Sequence, residues 1–246
     1  MGATDTEKHV VVIGGDGIGH EIIDAARRVL DAAAGKHGVT ITWEEQKAGG
    51  EAIDAFGEPL PQQTIDACRA ADAVLLGAVG GPKWDNVDPA IRPEKAILGL
   101  RKALGLFCNL RPVKIFPALQ AYSPLKQELV SGVDFVIVRE LTGGIYFGER
   151  EEAHGEGPNE QAWDKETYSR YEIERIMDVA METARRRRGK VTSVDKANVL
   201  AASRLWRKIS GEKAAANPDI TVDNLYVDNT AMQLVVNPAQ FDVIVT

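Results

Sequence analysis

Residues 9–19 read His-Val-Val-Val-Ile-Gly-Gly-Asp-Gly-Ile-Gly, and this stretch decides the class of the fold. The run from His9 to Ile13 does not alternate with polar residues, which predicts a strand that is buried on both faces. A glycine turn follows, and residues 18–34 then carry apolar side chains at helical spacing. A buried strand that turns into an amphipathic helix predicts a βαβ unit and a largely parallel sheet.

The same alternation of apolar runs and amphipathic stretches continues along the chain, so the sequence predicts an α/β fold. Further strands are expected at residues 39–43, 73–76, 134–139, 144–147, 191–194, 221–227 and 241–245. Helices are expected at residues 59–70, from residue 93 onward, and at residues 168–186, 199–209 and 231–236. The composition shifts near residue 106, which predicts one domain at residues 1–106 and a second at residues 107–246. Residues 149–165 are charged and lack an apolar period, so we expect them outside the core.

Composition excludes several classes of protein. The chain has 246 residues, 44% of them hydrophobic, and a net charge of −7. It therefore has enough apolar residues for a core and lacks the basic charge of a nucleic-acid binder. Its apolar runs are far shorter than the ~20 residues that cross a bilayer, so we expect no contact with a membrane. No signal-peptide pattern precedes residue 9, and two cysteines form no disulfide framework, which favours a reducing cytoplasm.

Two glycine-rich loops follow predicted strands. Backbone N–H groups of residues 14–19 could hold an anion, but the dinucleotide pattern requires glycine or alanine where, counting from Gly15, the chain has His20. A nucleotide site and a tight turn beside a cleft both remain open. Residues 77–86 contain Gly80 and Gly81 and follow the strand at 73–76. Loops beyond the carboxyl ends of parallel strands bind ligands, and the alternative is a simple Gly/Pro turn.

The helix that starts at Pro93 carries mixed chemistry on one face. Glu94, Ile97, Leu98 and Arg101 have helical spacing, so an acid, an apolar pair and a guanidinium point to the same space. The face could line a site, or it could belong to a half-buried helix with a charge pair at its edge.

Five further residues have types that suit catalysis or anion binding. Arg111 and Arg139 end strand-like segments, and the planar guanidinium suits bidentate binding of carboxylates. Tyr146 is either a general acid or a packed strand aromatic. Lys196 and Asp228 follow predicted strands and are either a proton acceptor and a ligand for Mg²⁺ or Mn²⁺, or surface charges.

Other conspicuous residues have simpler explanations. The basic run at residues 185–190 closes a helix, where cations complement the helix dipole. The four histidines match no zinc-ligand spacing. Cys108 has no histidine near it in the sequence, so we expect a structural thiol and no nucleophile.

Seven ordered segments together resemble the 3-isopropylmalate dehydrogenases, which are grouped with the isocitrate dehydrogenases as β-decarboxylating dehydrogenases. The segments are residues 15–19, 76–86, 109–112, 138–148, 168–175, 191–199 and 226–229. The resemblance implies a two-lobed fold with mixed sheets and no Rossmann fingerprint, which agrees with the mismatch at His20, where relatives usually have proline. It also implies that residues 1–106 form the first half of the cofactor-side lobe, that residues 107–246 form most of the substrate and dimerisation lobe, and that the C-terminal part of the first lobe is absent.

The function implied by this resemblance is the NAD-dependent oxidative decarboxylation of (2R,3S)-3-isopropylmalate to 2-oxoisocaproate in leucine biosynthesis. Arg101, Arg111 and Arg139 would bind the malate carboxylates, and Asp228 would contact substrate and metal. Ile97 and Leu98, with Glu94, would face the isopropyl group and the nicotinamide. Isocitrate dehydrogenases have a serine and an asparagine on this helix, so Glu94 and Ile97 favour an alkylmalate.

The resemblance also assigns the chemistry. Lys196 would be the base that takes the C2 hydroxyl proton, and Tyr146 would protonate the enolate. Mg²⁺ or Mn²⁺ would stabilise that enolate, and Gly80, Gly81 and Glu94 would contact NAD. Lys196 and Asp228 would reach the cleft of the partner subunit in a homodimer. The alternatives are a related dehydrogenase that acts on tartrate, malate or homoisocitrate, and an inactive fragment that only dimerises.

Overall fold

The computed structural model describes residues 6–246. The described chain forms two compact units, the first of which ends at Leu106 and the second of which is Phe107–Thr246. Both units are α/β, as the sequence predicts, and strand directions are mixed in the main sheet of the second unit. Within residues 6–246, the structure has no helix with the length and apolarity needed to span a membrane.

The first unit is a parallel sheet of three strands in the order β2-β1-β3, with four helices. Its elements are β1 (Glu7–Gly15), α1 (Gly19–Lys36), β2 (Thr40–Gln46), α2 (Gly50–Phe56), α3 (Gln62–Ala70), β3 (Ala73–Ala78) and α4 (Glu94–Ala103). Val11 and Ile13 on β1 are fully buried and pack with Ala96 and Leu100 of α4. The core therefore takes one face of α4 and leaves the adjacent face for other contacts.

The second unit is built on a five-stranded sheet in the order β4-β5-β10-β8-β9, in which β4 alone is antiparallel to its neighbour. Its strands are β4 (Cys108–Lys114), β5 (Asp134–Glu140), β6 (Arg150–His154), β7 (Gln161–Asp164), β8 (Lys190–Asp195), β9 (Thr221–Tyr226) and β10 (Val243–Val245). Its helices are α5 (Gln127–Val130), α6 (Arg170–Arg185), α7 (Ala201–Ala216) and α8 (Val227–Val236).

The last strand of the chain, β10, lies in the middle of this sheet. Val243 and Val245 join the core cluster of α6 and α7, whereas Ile244 joins a second cluster with Phe135 and Phe241 on the opposite face. Alternate residues of an uninterrupted apolar strand thus enter two cores, which is the reason why the strand shows no polar alternation.

Some elements differ from the sequence prediction. Residues 144–147, predicted as a strand, form a turn, because the glycines before Tyr146 reverse the chain and leave it no sheet partner. The charged segment at residues 149–165 lies outside the core, and it contains the β6–β7 hairpin, which the missing apolar period concealed. The sequence predicts no helix at residues 50–56, because α2 has no local capping side chain to signal its start. The capping carboxylate is that of Asp16, 34 residues away from Gly50.

A buried carboxylate anchors the segment that leads into β10. Asp242 is 1% exposed, and its Oδ1 accepts a hydrogen bond from Arg187 Nε at 2.9 Å. Its Oδ2 accepts the backbone N–H groups of Arg188 at 2.9 Å and Lys190 at 3.3 Å. These bonds join the start of β8 to the residue before β10.

We predict that Asp242→Asn lowers the free energy of unfolding by about 3 kcal/mol, because it removes the charge that compensates a partly buried guanidinium. Urea denaturation followed by tryptophan fluorescence measures this change, since Trp206 is buried in the same unit. Glu160→Gln is the matched control, because Glu160 is exposed. Equal unfolding free energies for the two variants would contradict the prediction.

Candidate active site

The glycine turn of the first unit is organised by its own aspartate. Asp16 is 2% exposed, and its carboxylate accepts the backbone N–H groups of Gly50 at 2.8 Å, Glu51 at 2.7 Å and Gly80 at 2.7 Å. Asp16 thereby caps the N-terminus of α2 and ties it to the loop after β3. The carboxylate of the turn is therefore held by backbone N–H groups from outside the turn, at residues 50, 51 and 80.

The loop after β3 brings Gly80 next to Glu94. Gly80 has a φ of 97°, and a Cβ atom at this position would lie 2.9 Å from Glu94 Oε1. The exposed Glu94, with Gly81 and Trp84, lines a shallow hollow in this unit. The N–H of Gly80 already bonds Asp16, whereas the Glu94 carboxylate and the backbone around Gly81 border the hollow, together with Asp85 and Arg92.

The face of α4 that carries Glu94, Ile97, Leu98 and Arg101 is separate from the side that packs on the core. Ala96 and Leu100 are buried, whereas Ile97, Leu98 and Arg101 are half-buried. The helix therefore presents an apolar pair and a guanidinium next to its core contacts, as the spacing predicts. Arg101 also interacts with other groups of the chain.

In the second unit, the register of β4 and β5 places two arginines on the same face of the sheet. Arg111 pairs with Ile137, and Arg139 lies two residues further along β5, so both side chains have the same pleat direction. The Arg139 Cζ atom lies 5.6 Å from the centroid of the Tyr146 ring. Arg111 and Tyr146 are exposed and Arg139 is half-buried. Two cations therefore lie on one face of this sheet, with a phenol beside Arg139. Arg111 lies in the middle of β4, so the expectation that it ends a strand is wrong.

The turn that carries Tyr146 is held by a buried ion pair. Glu140 has a fully buried side chain and accepts hydrogen bonds from the N–H groups of Thr142 at 2.8 Å and Gly143 at 2.7 Å. Arg175 Nη2 on α6 donates to Glu140 Oε1 at 2.6 Å. The chain can approach Tyr168 closely because residues 143 and 144 lack Cβ atoms, which would clash with its ring. Burial, with Glu140 nearby, raises the pKa of Tyr168 to about 12, so its hydroxyl stays protonated at neutral pH.

Parallel pairing brings Lys196 and Asp228 together. Asp195 at the end of β8 pairs with Tyr226 at the end of β9, so the residues that follow these strands are neighbours. Lys196 Nζ donates to Asp228 Oδ1 at 2.5 Å. This hydrogen bond lowers the pKa of the Asp228 carboxyl below its ordinary value. Lys196 also borders a cavity lined by apolar residues that include Leu200 and Trp206.

The described residues contain neither a cluster of metal ligands nor an activated thiol. Among residues 6–246, no three His, Cys, Asp or Glu side chains form a group that could hold a metal ion. Burial raises the pKa of both free thiols, Cys68 and Cys108, so neither is activated as a nucleophile.

The structure thus brings together Arg111, Arg139 and Tyr146, and separately Lys196 and Asp228. Sequence reasoning gave no role to the residues that hold these groups, namely Glu140, Arg175, Asp195, Arg207 and Tyr226, or to Asp16 in the first unit. All of them except Arg207 lie in the segments that carry the family resemblance, and this was the signal available.

The fold and the site define an α/β protein with basic and tyrosine side chains at the ends of its strands. The chain belongs to the isocitrate/isopropylmalate dehydrogenase family, whose sequence profile matches residues 9–246. The family resemblance and the fold class expected from the sequence are therefore confirmed.

Similar proteins of known sequence include the 3-isopropylmalate dehydrogenases of Halalkalibacterium halodurans and Oceanobacillus iheyensis. The first is 53% identical over 98% of this chain and 66% of its own length, and the second is 55% identical over 98% and 64%. The chain therefore spans about two thirds of the length of these relatives.

Solved structures with a similar fold include an isocitrate dehydrogenase from Methylococcus capsulatus, with a TM-score of 0.79 and 36% identity. The similarity covers 97% of this chain and 66% of that one. A β-decarboxylating dehydrogenase from Thermococcus kodakarensis has a TM-score of 0.71 and 35% identity, over 97% of this chain and 63% of that one.

We predict that Lys196→Met raises the pKa of the Asp228 carboxyl toward its ordinary value, because the variant removes the hydrogen bond that lowers it. A pH titration of the Asp228 carboxyl carbon by NMR measures the shift. Lys208→Met is the control, since Lys208 is an exposed lysine on α7 that does not contact Asp228. An unchanged Asp228 pKa in Lys196→Met would show that the ion pair does not persist in solution.

Proposed function

We propose that the protein catalyses the NAD-dependent oxidative decarboxylation of (2R,3S)-3-isopropylmalate to 2-oxoisocaproate, the reaction of leucine biosynthesis. The observation that carries this proposal is the shared face of β4 and β5, where Arg111, Arg139 and Tyr146 lie together. The relatives named 3-isopropylmalate dehydrogenase, at 53% and 55% identity, support the choice of substrate.

The arginines would bind the two carboxylates of the malate skeleton. A guanidinium forms paired hydrogen bonds with a carboxylate, and two of them on one face suit a diacid better than a monoacid. We propose Arg101 of α4 as the third cation of the site. In this assignment Arg139 has a second role, since its contact with the Tyr146 ring orients that phenol.

The apolar pair on α4 would select the side chain of the substrate. Ile97 and Leu98 are half-buried and carry no polar group, so an isopropyl group can pack against them at little cost. The third carboxylate of isocitrate would lose its hydration there without gaining a partner. We therefore propose an alkylmalate and not a tricarboxylate as the substrate.

The proton transfers would be made by this chain's own groups. The Lys196 amine would accept the proton of the C2 hydroxyl as a hydride leaves C2, so that the alcohol becomes a ketone. The bond to the carboxylate on C3 then breaks, CO₂ departs, and its electron pair forms an enolate. Tyr146 would donate a proton to C3, which completes 2-oxoisocaproate.

NAD⁺, when bound, would accept the hydride. The residues of the first unit fit this partner, because the exposed Glu94 carboxylate beside Gly80 can accept hydrogen bonds from a ribose hydroxyl. The open backbone at Gly81 allows close approach of a cofactor, since a Cβ there would have only ordinary contact with Trp84 at 3.6 Å. We propose Gly80, Gly81 and Glu94 as cofactor contacts.

A divalent cation does not find a complete set of ligands in the described residues. Asp228 offers one carboxylate, and within residues 6–246 no group of three candidate ligands surrounds it. If Mg²⁺ or Mn²⁺ takes part, Asp228 supplies one oxygen ligand and the other ligands come from elsewhere. We assign no step of the reaction to it.

We further propose a homodimer in which Lys196 and Asp228 complete the site of the partner subunit. Exposed apolar residues on α8, Val227, Met232 and Val235, supply a surface for such an association. The free thiols Cys68 and Cys108 support a reducing, cytoplasmic location. An inactive dimerising fragment is the competing proposal, because the chain covers only about two thirds of its relatives.

We predict that the protein forms NADH from NAD⁺ and 3-isopropylmalate, and that kcat/KM for isocitrate or tartrate is at least about a hundredfold lower. NADH absorbance measures both reactions in the presence of Mg²⁺. Two proteins should be compared: the chain itself, and a chimera that extends it with the part of the Oceanobacillus iheyensis relative that follows the matched region.

Lys196→Met is the catalytic control and should lower kcat by about a thousandfold, the typical contribution of a general base; Lys208→Met should not change it. Activity of the chimera without activity of the chain would support the dimerising-fragment alternative for the chain alone. A chimera that prefers isocitrate or tartrate, or that turns over normally with Lys196→Met, would refute the proposed substrate or the proposed base.

A further inference from the structure

One guanidinium on α7 links the ends of the two strands that lead into Lys196 and Asp228. Arg207 Nε donates to Asp195 Oδ2 at 2.9 Å, and its Nη2 donates to Asp195 Oδ1 at 2.8 Å. The Asp195 side chain is 1% exposed. This is the bidentate geometry that only arginine provides, and it fixes the residue directly before Lys196.

The same guanidinium packs on Tyr226, the last residue of β9. Its Cζ atom lies 4.8 Å from the centroid of the Tyr226 ring, and Lys196 Nζ lies 5.8 Å from that centroid. Tyr226 precedes Asp228 by two residues and pairs in register with Asp195. Arg207 therefore contacts the end of β8 through a hydrogen-bonded fork and the end of β9 through a cation–π contact.

The backbone of Lys196 is also held by α7 and by the residues that lead into this helix. Its N–H donates to Ser203 Oγ of α7 at 3.1 Å, and its carbonyl accepts the N–H groups of Val199 at 3.0 Å and Leu200 at 2.9 Å. Asp195 Oδ1 also accepts the N–H of Ala197 at 2.8 Å. These bonds fix the main chain on both sides of Lys196, so the position of its amine depends on the side chain and on its neighbours Asp228 and Tyr226.

We propose that Arg207 is a positioning residue for the Lys196–Asp228 pair, acting through Asp195 and Tyr226. This inference rests on the proposed function, in which Lys196 is the base. In this proposal Arg207 acts indirectly, without bonding the Lys196 ammonium or the Asp228 carboxylate. It sets the separation of the two strand ends and provides, with Tyr226, the surface against which the lysine amine is placed.

A role in positioning and a role limited to folding predict different results for Arg207→Lys. Lysine keeps the positive charge beside the buried Asp195, but it loses the fork and the planar contact with Tyr226. We expect kcat to fall about tenfold or more, in line with the cost of a small misplacement, while KM for 3-isopropylmalate changes less than about threefold. The substrate affinity should hold because Arg111 and Arg139 are unaltered.

Arg185→Lys is the matched control. Arg185 binds Asp219 with Nε at 2.7 Å and Nη2 at 3.3 Å, near the start of β9, whereas Lys196 follows the end of β8. It should leave kcat unchanged. In Arg207→Ala, added millimolar guanidinium should restore part of kcat and an alkylammonium of similar size should not, because only the former restores the fork.

Crystal structures of the parent and Arg207→Lys give a readout that does not need activity. We expect the Lys196 ammonium to leave Asp228 or the Tyr226 ring in the variant, with the sheet unchanged. If neither the chain nor the chimera has activity, the proposed function fails and this comparison alone decides the positioning role.

Should Arg207→Lys fail to fold, Tyr226→Leu provides the second test, because it removes the ring and keeps the Asp195 pair. It should also lower kcat and displace the ammonium. Parent-like kcat and an unmoved Lys196 in either folded variant would overturn the proposal.

Discussion

The register of the five-stranded sheet is the constraint on which the second unit depends. β10 lies between β5 and β8, pairs with both in parallel, and sends alternate side chains into the two cores. A shift of one residue would exchange the faces on which Val243, Ile244 and Val245 pack and would pull Asp242 away from its hydrogen bonds. Asp242 fixes the approach to this strand, because its buried carboxylate binds the chain just before β8.

The candidate site follows from this register. β5, placed against β10, pairs with antiparallel β4, and this pairing puts Arg111 and Arg139 on one face. β8, on the other side of β10, pairs with β9 and thereby sets Lys196 next to Asp228. The reactive groups lie after strand ends or on turns, and buried ion pairs, Glu140–Arg175 and Asp195–Arg207, hold those turns in place. These two ion pairs thus connect the packed core to the turns that carry the site residues.

The sequence predicts most of the fold because its strands are continuous apolar runs. It also predicts which residues follow each strand, but the pairing of β8 with β9, which makes Lys196 and Asp228 neighbours, comes from the structure. It does not predict the turn at residues 144–147, because the apolar letters around Tyr146 resemble a strand and the close packing of glycine on Tyr168 is a tertiary contact. Nor does it predict that Asp16 caps α2 or that Arg207 reaches Asp195, since these partners are distant in sequence.

The central claim is that Arg111 and Arg139 hold one diacid together. Calorimetric binding of 3-isopropylmalate, in the presence of Mg²⁺, to the parent, Arg111→Lys, Arg139→Lys and the double variant tests it as a thermodynamic cycle. If both arginines bind the same ligand, each single variant weakens binding, and the loss in the double variant differs from the sum of the single losses by about 1 kcal/mol. Unchanged affinity in either single variant would contradict a shared binding site.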